Sequence, residues 1–234
     1  MLRGLLLAMA WTLPAAAQPA LDRVDLELVL LADATGSIDD DEILLQRRGY
    51  AEAMADPQVL WAIDKGGSEA RIAVTYVEWA GVAAQDVVVD WTVVADEASA
   101  RAFGDRLMAA PRRARGTNAI GAALLKGLDL IEENRFDGWR KVIDLSGDSS
   151  WNPQGPTIAH ARDAVLGAGV VINGLAILCR PPCSGRPRAE DLEAEYAEQI
   201  IGGPGAFVVT ADGGESFAQA VRRKLILEIA DLGR

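Results

Sequence analysis

Histidine and cysteine are scarce in this sequence, and their scarcity excludes several kinds of enzyme. The 234 residues include one histidine, His160, and two cysteines, Cys179 and Cys183. A serine hydrolase needs a histidine and a strained Gly-x-Ser-x-Gly turn, and the sequence has no such turn. No Gly-x-Gly-x-x-Gly run follows a predicted strand, and the lysine of a phosphate-binding loop is missing. We therefore do not expect serine hydrolysis or nucleotide binding through these motifs.

An excess of positive charge is also absent. The chain has 34 Asp and Glu residues against 23 Lys and Arg residues, a net charge of −11. We interpret the short basic run at Arg112, Arg113 and Arg115 as a solvated loop. Because no basic stripe with interleaved aromatic residues occurs, neither nucleic acid nor an anionic membrane is an expected partner.

The first residues have the pattern of an export signal rather than of a membrane span. Arg3 gives a short positive region, residues 5–13 form an apolar run, and residues 15–17 offer a small-residue cleavage site. The apolar run is about ten residues, whereas a spanning helix needs about 20. A buried N-terminal helix is the alternative. We predict a signal peptide over residues 1–17 and one domain over residues 18–234. The mature chain should be periplasmic or secreted, without membrane insertion.

The two cysteines fit an oxidising compartment. Cys179 and Cys183 flank Arg-Pro-Pro, and in an exported protein they can close a small loop through a disulfide. A redox-active pair is the rival interpretation, but such pairs usually enclose two residues and open a helix. Metal binding by the pair is not favoured, because His160 is distant in sequence and is expected on a helix near the surface.

Short apolar strands alternate with amphipathic helices from residue 24 onward. The strands are predicted at residues 24–32, 71–79, 86–94, 141–145, 170–178 and 206–210. Helices are predicted at residues 40–55, 96–109, 118–133, 157–166, 189–200 and 215–232. Such alternation predicts an α/β fold, with a doubly wound, mostly parallel six-stranded sheet and helices on both faces. The second and third strands are close enough to form a hairpin, which would place one antiparallel strand at an edge.

Polar side chains follow the strands at the edge where ligands bind in such sheets. Asp33, Thr35 and Ser37 come directly after the first strand, Thr117 precedes a helix, and Asp148 follows the fourth strand. Their carboxylate and hydroxyl oxygens are the hard ligands that hold Mg²⁺ or Mn²⁺, with Ca²⁺ also possible. Five protein groups leave a coordination position open, which a carboxylate of a partner could fill.

These residues resemble the metal-ion-dependent adhesion site of von Willebrand factor type A domains. The likeness rests on Asp33-x-Thr35-x-Ser37, on Gly116-Thr117 before a helix and on Asp148 after an apolar strand. The likeness covers residues 24–232, and the chain is similar to an exported bacterial subgroup of single-domain proteins. The resemblance implies that the chain binds an unknown protein partner through the metal, by an Asp or Glu side chain of that partner, and is not an enzyme.

The sequence departs from the family pattern at two positions. Thr35 stands where the family usually has serine, which keeps the hydroxyl group. Ser146-Gly147-Asp148 replaces the usual Thr-Asp-Gly and moves the acid by one residue. The second metal carboxylate is therefore either Asp148, which we prefer because it lies in a loop, or Asp144 within the strand.

Several residues near the predicted centre can be assigned either a structural or a functional role. Asp39 and Glu42 fit a capping box at a helix start better than they fit additional metal ligands. Trp151 and Asn152 come three and four residues after Asp148, so they are predicted to contact the partner; the alternative is that Trp151 packs beneath the loop.

The sequence is consistent with three functional hypotheses. The first is a metal-dependent protein-binding module. The second is a Mg²⁺- or Mn²⁺-dependent hydrolase acting on phosphoesters, and the third is a scaffold in which the metal is purely structural. A phosphatase of the haloacid dehalogenase type needs a second acid two residues after Asp33, and Thr35 occupies that position.

Overall fold

A six-stranded sheet forms the centre of the structure, a computed structural model that describes residues 21–178, 191–211 and 217–230. The order of the strands is β3-β2-β1-β4-β5-β6. All neighbouring pairs are parallel except β2 and β3, which form an antiparallel pair at one edge. The strands are β1 (Asp22–Asp33), β2 (Ile72–Trp79), β3 (Gln85–Val94), β4 (Phe136–Gly147), β5 (Val171–Ile177) and β6 (Val208–Ala211).

Helices cover both faces of the sheet. They are α1 (Asp40–Met54), α2 (Pro57–Gly66), α3 (Glu97–Ala109), α4 (Ile120–Glu132), α5 (Ile158–Gly167), α6 (Leu192–Glu195) and α7 (Phe217–Ala230). Successive side chains of a strand point to opposite faces. Leu28 and Leu30 of β1 accordingly pack in the layer of α1, α2, α3 and α7, whereas Val29 and Leu31 pack in the layer of α4, α5 and α6.

The predicted fold class and the antiparallel edge strand are confirmed, whereas β4 and α2 differ from the prediction. Strand β4 begins at Phe136 rather than at residue 141, because its polar first half pairs with the beginning of β1, where Asp22 lies opposite Phe136. Helix α2 was not predicted. It is short, its N-cap is Asp56, and Pro57 is its first residue. The side chain of Asp56 accepts a hydrogen bond from the Gln58 amide.

The predicted helix over residues 189–200 is shorter in the described part of the chain and changes its form. After α6, residues 196–200 form one π-helical turn. The predicted signal peptide over residues 1–17 and the predicted disulfide between Cys179 and Cys183 lie outside the described residues. Within the described ranges, every helix is too short or too polar to cross a bilayer.

A buried ion-pair cluster joins α7 to the middle of the sheet. The ammonium of Lys224 lies 2.6 Å from Asp144 Oδ1 and 2.5 Å from Glu228 Oε1, and all three side chains are buried. Asn173 of β5 also donates a hydrogen bond to Glu228. Buried charges need such partners, because the interior solvates them poorly.

Replacing Lys224 by Met should destabilise the protein by about 3–5 kcal/mol at pH 7, because two carboxylates then stay buried without their cation. Burial already raises the pKa of Asp144 from 3.8 to about 7, and the lost lysine charge opposed that rise. An acid whose native pKa exceeds its unfolded value stabilises the native state as the pH falls. The deficit relative to the wild type should therefore shrink from pH 7 to pH 5 in urea unfolding. An equal deficit at both values would contradict this account.

Candidate metal centre

The loop after β1 supplies three oxygen-bearing side chains. Asp33, the last residue of β1, is fully buried, and its Oδ1 accepts a hydrogen bond of 2.8 Å from the Thr35 amide. The Thr35 hydroxyl lies 3.0 Å from the Ser37 hydroxyl. Alternate residues of this irregular loop thus turn their oxygens to the same side, as the Asp-x-Thr-x-Ser spacing predicted.

The loop before α4 is tied to the β1 loop through the backbone. The Gly36 amide donates a 2.8 Å hydrogen bond to the Gly116 carbonyl. Gly116 has a φ of +142°, a conformation that side-chain-bearing residues rarely adopt. Thr117 therefore lies at the same sheet edge, but it is exposed, and its hydroxyl makes no hydrogen bond within the described part of the chain. It precedes the helix by three residues, since α4 begins at Ile120.

The loop after β4 brings the second carboxylate. The Ser37 hydroxyl donates a hydrogen bond of 3.3 Å to Asp148 Oδ1. Asp148 is partly exposed, in contrast to the buried Asp33. Four of the five predicted ligands, Asp33, Thr35, Ser37 and Asp148, are therefore connected through their side-chain or neighbouring backbone atoms.

The carboxylate of Asp33 is incompletely compensated. Its Oδ2 is buried and makes no well-formed hydrogen bond to any described residue. Burial, followed by the negative charge of Asp148, raises the pKa of Asp33 to about 7, although hydrogen bonds from Thr35 and the Asp148 backbone offset part of the rise. A buried acceptor without a well-formed hydrogen bond is costly, and a cation or a further donor at this oxygen would remove that cost.

The donor set fits a hard divalent cation. Two carboxylates and neighbouring hydroxyls are the oxygen ligands that Mg²⁺ and Mn²⁺ prefer. The described residues contain no cluster of three or more His, Cys, Asp or Glu side chains arranged to hold a metal. A cation at this edge would thus rely on Asp33 and Asp148 for charge and on hydroxyls for the remaining protein ligands.

The position of Asp144 separates it from this edge. Its side chain points under α7, where it pairs with Lys224, and it is buried within β4. The strand continues to Gly147 before Asp148 enters the loop. Of the two acids that the sequence left open, Asp148 is the one beside Asp33.

The family and the fold follow from comparison with known proteins. Residues 23–233 match the model of a family described as "Protein of unknown function (DUF1194)". The chain belongs to the DUF1194 family. No curated protein matches its sequence.

Several solved structures share the fold of this DUF1194 chain at low sequence identity. The pilus adhesin SpaC from Lactobacillus rhamnosus GG has a TM-score of 0.59 at 14% identity, over 91% of this chain and 31% of the adhesin. The von Willebrand factor domain of the pilus tip protein Mfa5 from Porphyromonas gingivalis gives 0.54 at 10%, over 90% and 96%. Proximal thread matrix protein 1 of the mussel byssus, with zinc in its MIDAS motif, gives 0.56 at 14%, over 90% and 47%. The fold is that of von Willebrand factor A domains, and this chain spans less than half of the adhesin and of the thread protein.

The two predicted partner-contact residues differ in their surroundings. Trp151 is 59% exposed, so it does not pack beneath the loop. Asn152 uses its side chain within the protein: it accepts from the Gly121 amide in the first turn of α4 and donates to the Pro156 carbonyl. Asn152 therefore caps the N-terminus of α4 from a loop distant in sequence. Its contact with a partner remains a prediction.

The interpretation of the basic run as a solvated loop is wrong for Arg112. Its side chain is only 9% exposed and pairs with Asp40 at 2.7 Å. The same guanidinium donates 2.9 Å hydrogen bonds to the carbonyls of Ala34 and Ile38. Arg112 thus stabilises the conformation of the β1 loop through hydrogen bonds to its backbone carbonyls. No local signal distinguishes it from its exposed neighbour Arg113, because Ala34, Ile38 and Asp40 lie more than 70 positions away.

Two further residues that the sequence did not indicate support the centre. Gln46 of α1 donates to the backbone carbonyl of Asp33 at 3.1 Å. The indole of the buried Trp79 donates to the Ser146 carbonyl at 3.2 Å, which connects the ends of β2 and β4 behind β1.

Replacing Arg112 by Gln should lower the free energy of unfolding by about 2 kcal/mol, because buried carbonyls of the β1 loop lose their donor. Arg113→Gln is the matched control, since Arg113 is exposed and its contact with Asp86 is a long surface ion pair of 3.7 Å. This variant should change the free energy of unfolding by less than about 0.5 kcal/mol. Urea unfolding of both variants measures the difference, and equal losses would refute the role of Arg112.

Proposed function

We propose that this chain is a metal-dependent protein-binding module of the adhesion type, acting in the periplasm or outside the cell. Asp33, Thr35, Ser37, Thr117 and Asp148 would hold Mg²⁺ or Mn²⁺, and an Asp or Glu side chain of the partner would complete the coordination. The observation that carries the proposal is the buried Asp33 Oδ2 without a well-formed hydrogen bond, beside two hydroxyls and a second carboxylate.

The ligand set explains why the partner would contribute an acid. Mg²⁺ requires octahedral coordination by oxygen, and five protein groups leave one position for an outside ligand. Two carboxylates balance a divalent charge without exceeding it, so a third carboxylate is still attracted to the ion. On a chain of net charge −11, the bound cation would be the feature that attracts an acidic group.

We further propose that the chain is a binding module rather than an enzyme. The single histidine, His160, lies exposed on α5, and the proposed ligands include no group that is assigned as a general base. The exposed Trp151, three residues after Asp148, suits a contact residue, because tryptophan is enriched at the energetic centres of protein interfaces.

Asp33→Ala should abolish Mg²⁺ and Mn²⁺ binding in calorimetry while circular dichroism shows an unchanged fold, because the variant lacks the central carboxylate. Asp41→Ala is the matched control: it removes the same charge from the exposed first turn of α1 and should keep the affinity of the wild type. Unchanged Mg²⁺ affinity in Asp33→Ala would refute the site.

Two other results would replace the proposed function. Turnover of a generic phosphoester by the Mn²⁺-loaded protein, lost in Asp33→Ala, would indicate a hydrolase. A metal chelator that lowers the melting temperature but leaves partner capture intact would indicate a purely structural metal.

Capture of a partner from periplasmic extract should depend on Mg²⁺, stop with EDTA and fail with Asp33→Ala. Trp151→Ala should weaken the capture at least tenfold without changing Mg²⁺ affinity, since a hot-spot tryptophan contributes about 2 kcal/mol or more. Trp139→Ala is the matched control, because Trp139 is 84% exposed and lies in the first half of β4, away from the centre. Equal losses in the two variants would rule out a specific contact at Trp151.

A further inference from the structure

A buried tyrosine lies close to the candidate metal centre. Tyr196 opens the π-helical turn that follows α6, and its side chain is fully buried. Its hydroxyl has no hydrogen-bond partner among the described residues. Tyrosine hydroxyls usually have a partner when they are buried, so this one requires an explanation.

Gly147 shows where that hydroxyl points. A Cβ atom placed on Gly147 would lie 2.9 Å from Tyr196 Oη, 3.0 Å from Asp33 Oδ2 and 3.1 Å from the Trp79 ring. The Tyr196 hydroxyl and Asp33 Oδ2 therefore both lie close to the position that a side chain at Gly147 would occupy. This gives a physical reason for glycine directly before Asp148, the order in which the sequence departs from the Thr-Asp-Gly pattern.

The two oxygens are chemically complementary. Burial, followed by the charges of Asp33 and Asp148, raises the pKa of Tyr196 well above its usual value, so the phenol keeps its proton. A neutral phenol can donate, and a carboxylate oxygen can accept. They do not bond directly, and a bridging water is the usual way in which two such buried groups are satisfied.

The loop and the helix that carry these groups are also tied together. The Ser150 hydroxyl donates a hydrogen bond to Glu195, the residue directly before Tyr196. The loop that follows Asp148 is thereby attached to the end of α6. Tyr196 is held against the centre by this bond and by its place in the core beneath α5 and α6.

We propose that Tyr196 is a positioning residue of the metal centre, whose hydroxyl donates through a bridging water to Asp33 Oδ2 and orients that carboxylate toward the cation. This inference rests on the proposed function. Partners of this kind, which hold a metal ligand in place from behind, typically change metal affinity by 10- to 100-fold when they are removed.

Tyr196→Phe should lower Mg²⁺ and Mn²⁺ affinity about tenfold in calorimetry. The melting temperature of the metal-free protein should change little, because the hydroxyl makes no direct hydrogen bond to a described residue and the ring that packs in the core is kept. Tyr50→Phe is the matched control. Tyr50 is equally buried, its hydroxyl also makes no well-formed hydrogen bond to a described residue, and it packs in the core on the opposite face of the sheet. Its loss should leave metal affinity unchanged.

The outcomes distinguish this inference from the proposed function. Wild-type protein that binds neither ion would refute the proposed function and, with it, the role of Tyr196. If the wild type binds and Tyr196→Phe binds equally well, only the role of Tyr196 is refuted. A lowered metal-free melting temperature with unchanged affinity would assign Tyr196 a purely structural role, and an equal affinity loss in Tyr50→Phe would show that the effect is not specific.

Discussion

The burial of the Asp33 carboxylate is the constraint on which the rest of the candidate centre depends. A carboxylate removed from water at the end of a central strand is destabilised in its charged form, and its pKa rises accordingly. One oxygen is bonded by the Thr35 amide, whereas the other is not well bonded. A divalent cation would satisfy that oxygen and would attract the nearby hydroxyls and Asp148. The surrounding loops place their oxygen atoms where such an ion could be bound.

The loops are held in place by hydrogen bonds to the backbone rather than by regular structure. Arg112 donates to carbonyls of the β1 loop, Gln46 donates to the carbonyl of Asp33, and the Gly36 amide bonds to Gly116. Asn152 caps α4 from the loop after β4. Ligands that are fixed before an ion arrives lose little conformational freedom on binding, so a small number of charges can be sufficient.

Two acids on or directly after one strand have opposite environments. Asp144 points to the layer of α7 and is neutralised by Lys224, which stabilises the packing of that helix. Asp148 follows the strand into solvent and faces Ser37. The sheet thus separates a buried charge cluster around Lys224 from a partly exposed carboxylate that accepts a hydrogen bond from Ser37. Tyr196 belongs to the side of the centre, because its hydroxyl shares the space above Gly147 with Asp33.

The sequence by itself determined the features that depend on local spacing. Alternation of apolar strands and amphipathic helices predicted the doubly wound sheet. The spacing of Asp33, Thr35 and Ser37 predicted one loop with converging oxygens, and Asp39 with Glu42 predicted the capping box that begins α1. Thr117 was placed at the correct sheet edge, although its side chain is exposed and α4 starts later.

Only the tertiary structure decided which charged and hydroxyl-bearing side chains meet. Arg112 and Arg113 are neighbours with the same chemistry, yet one is buried against the β1 loop and the other is exposed. The role of Asp144 depends on Lys224, which lies 80 positions away in sequence, and nothing local indicates that Tyr196 lies against Gly147. Helices and strands arise from interactions a few residues apart, which periodicity reveals. Pairing between distant side chains depends on how whole elements pack, and the sequence pattern does not record that packing.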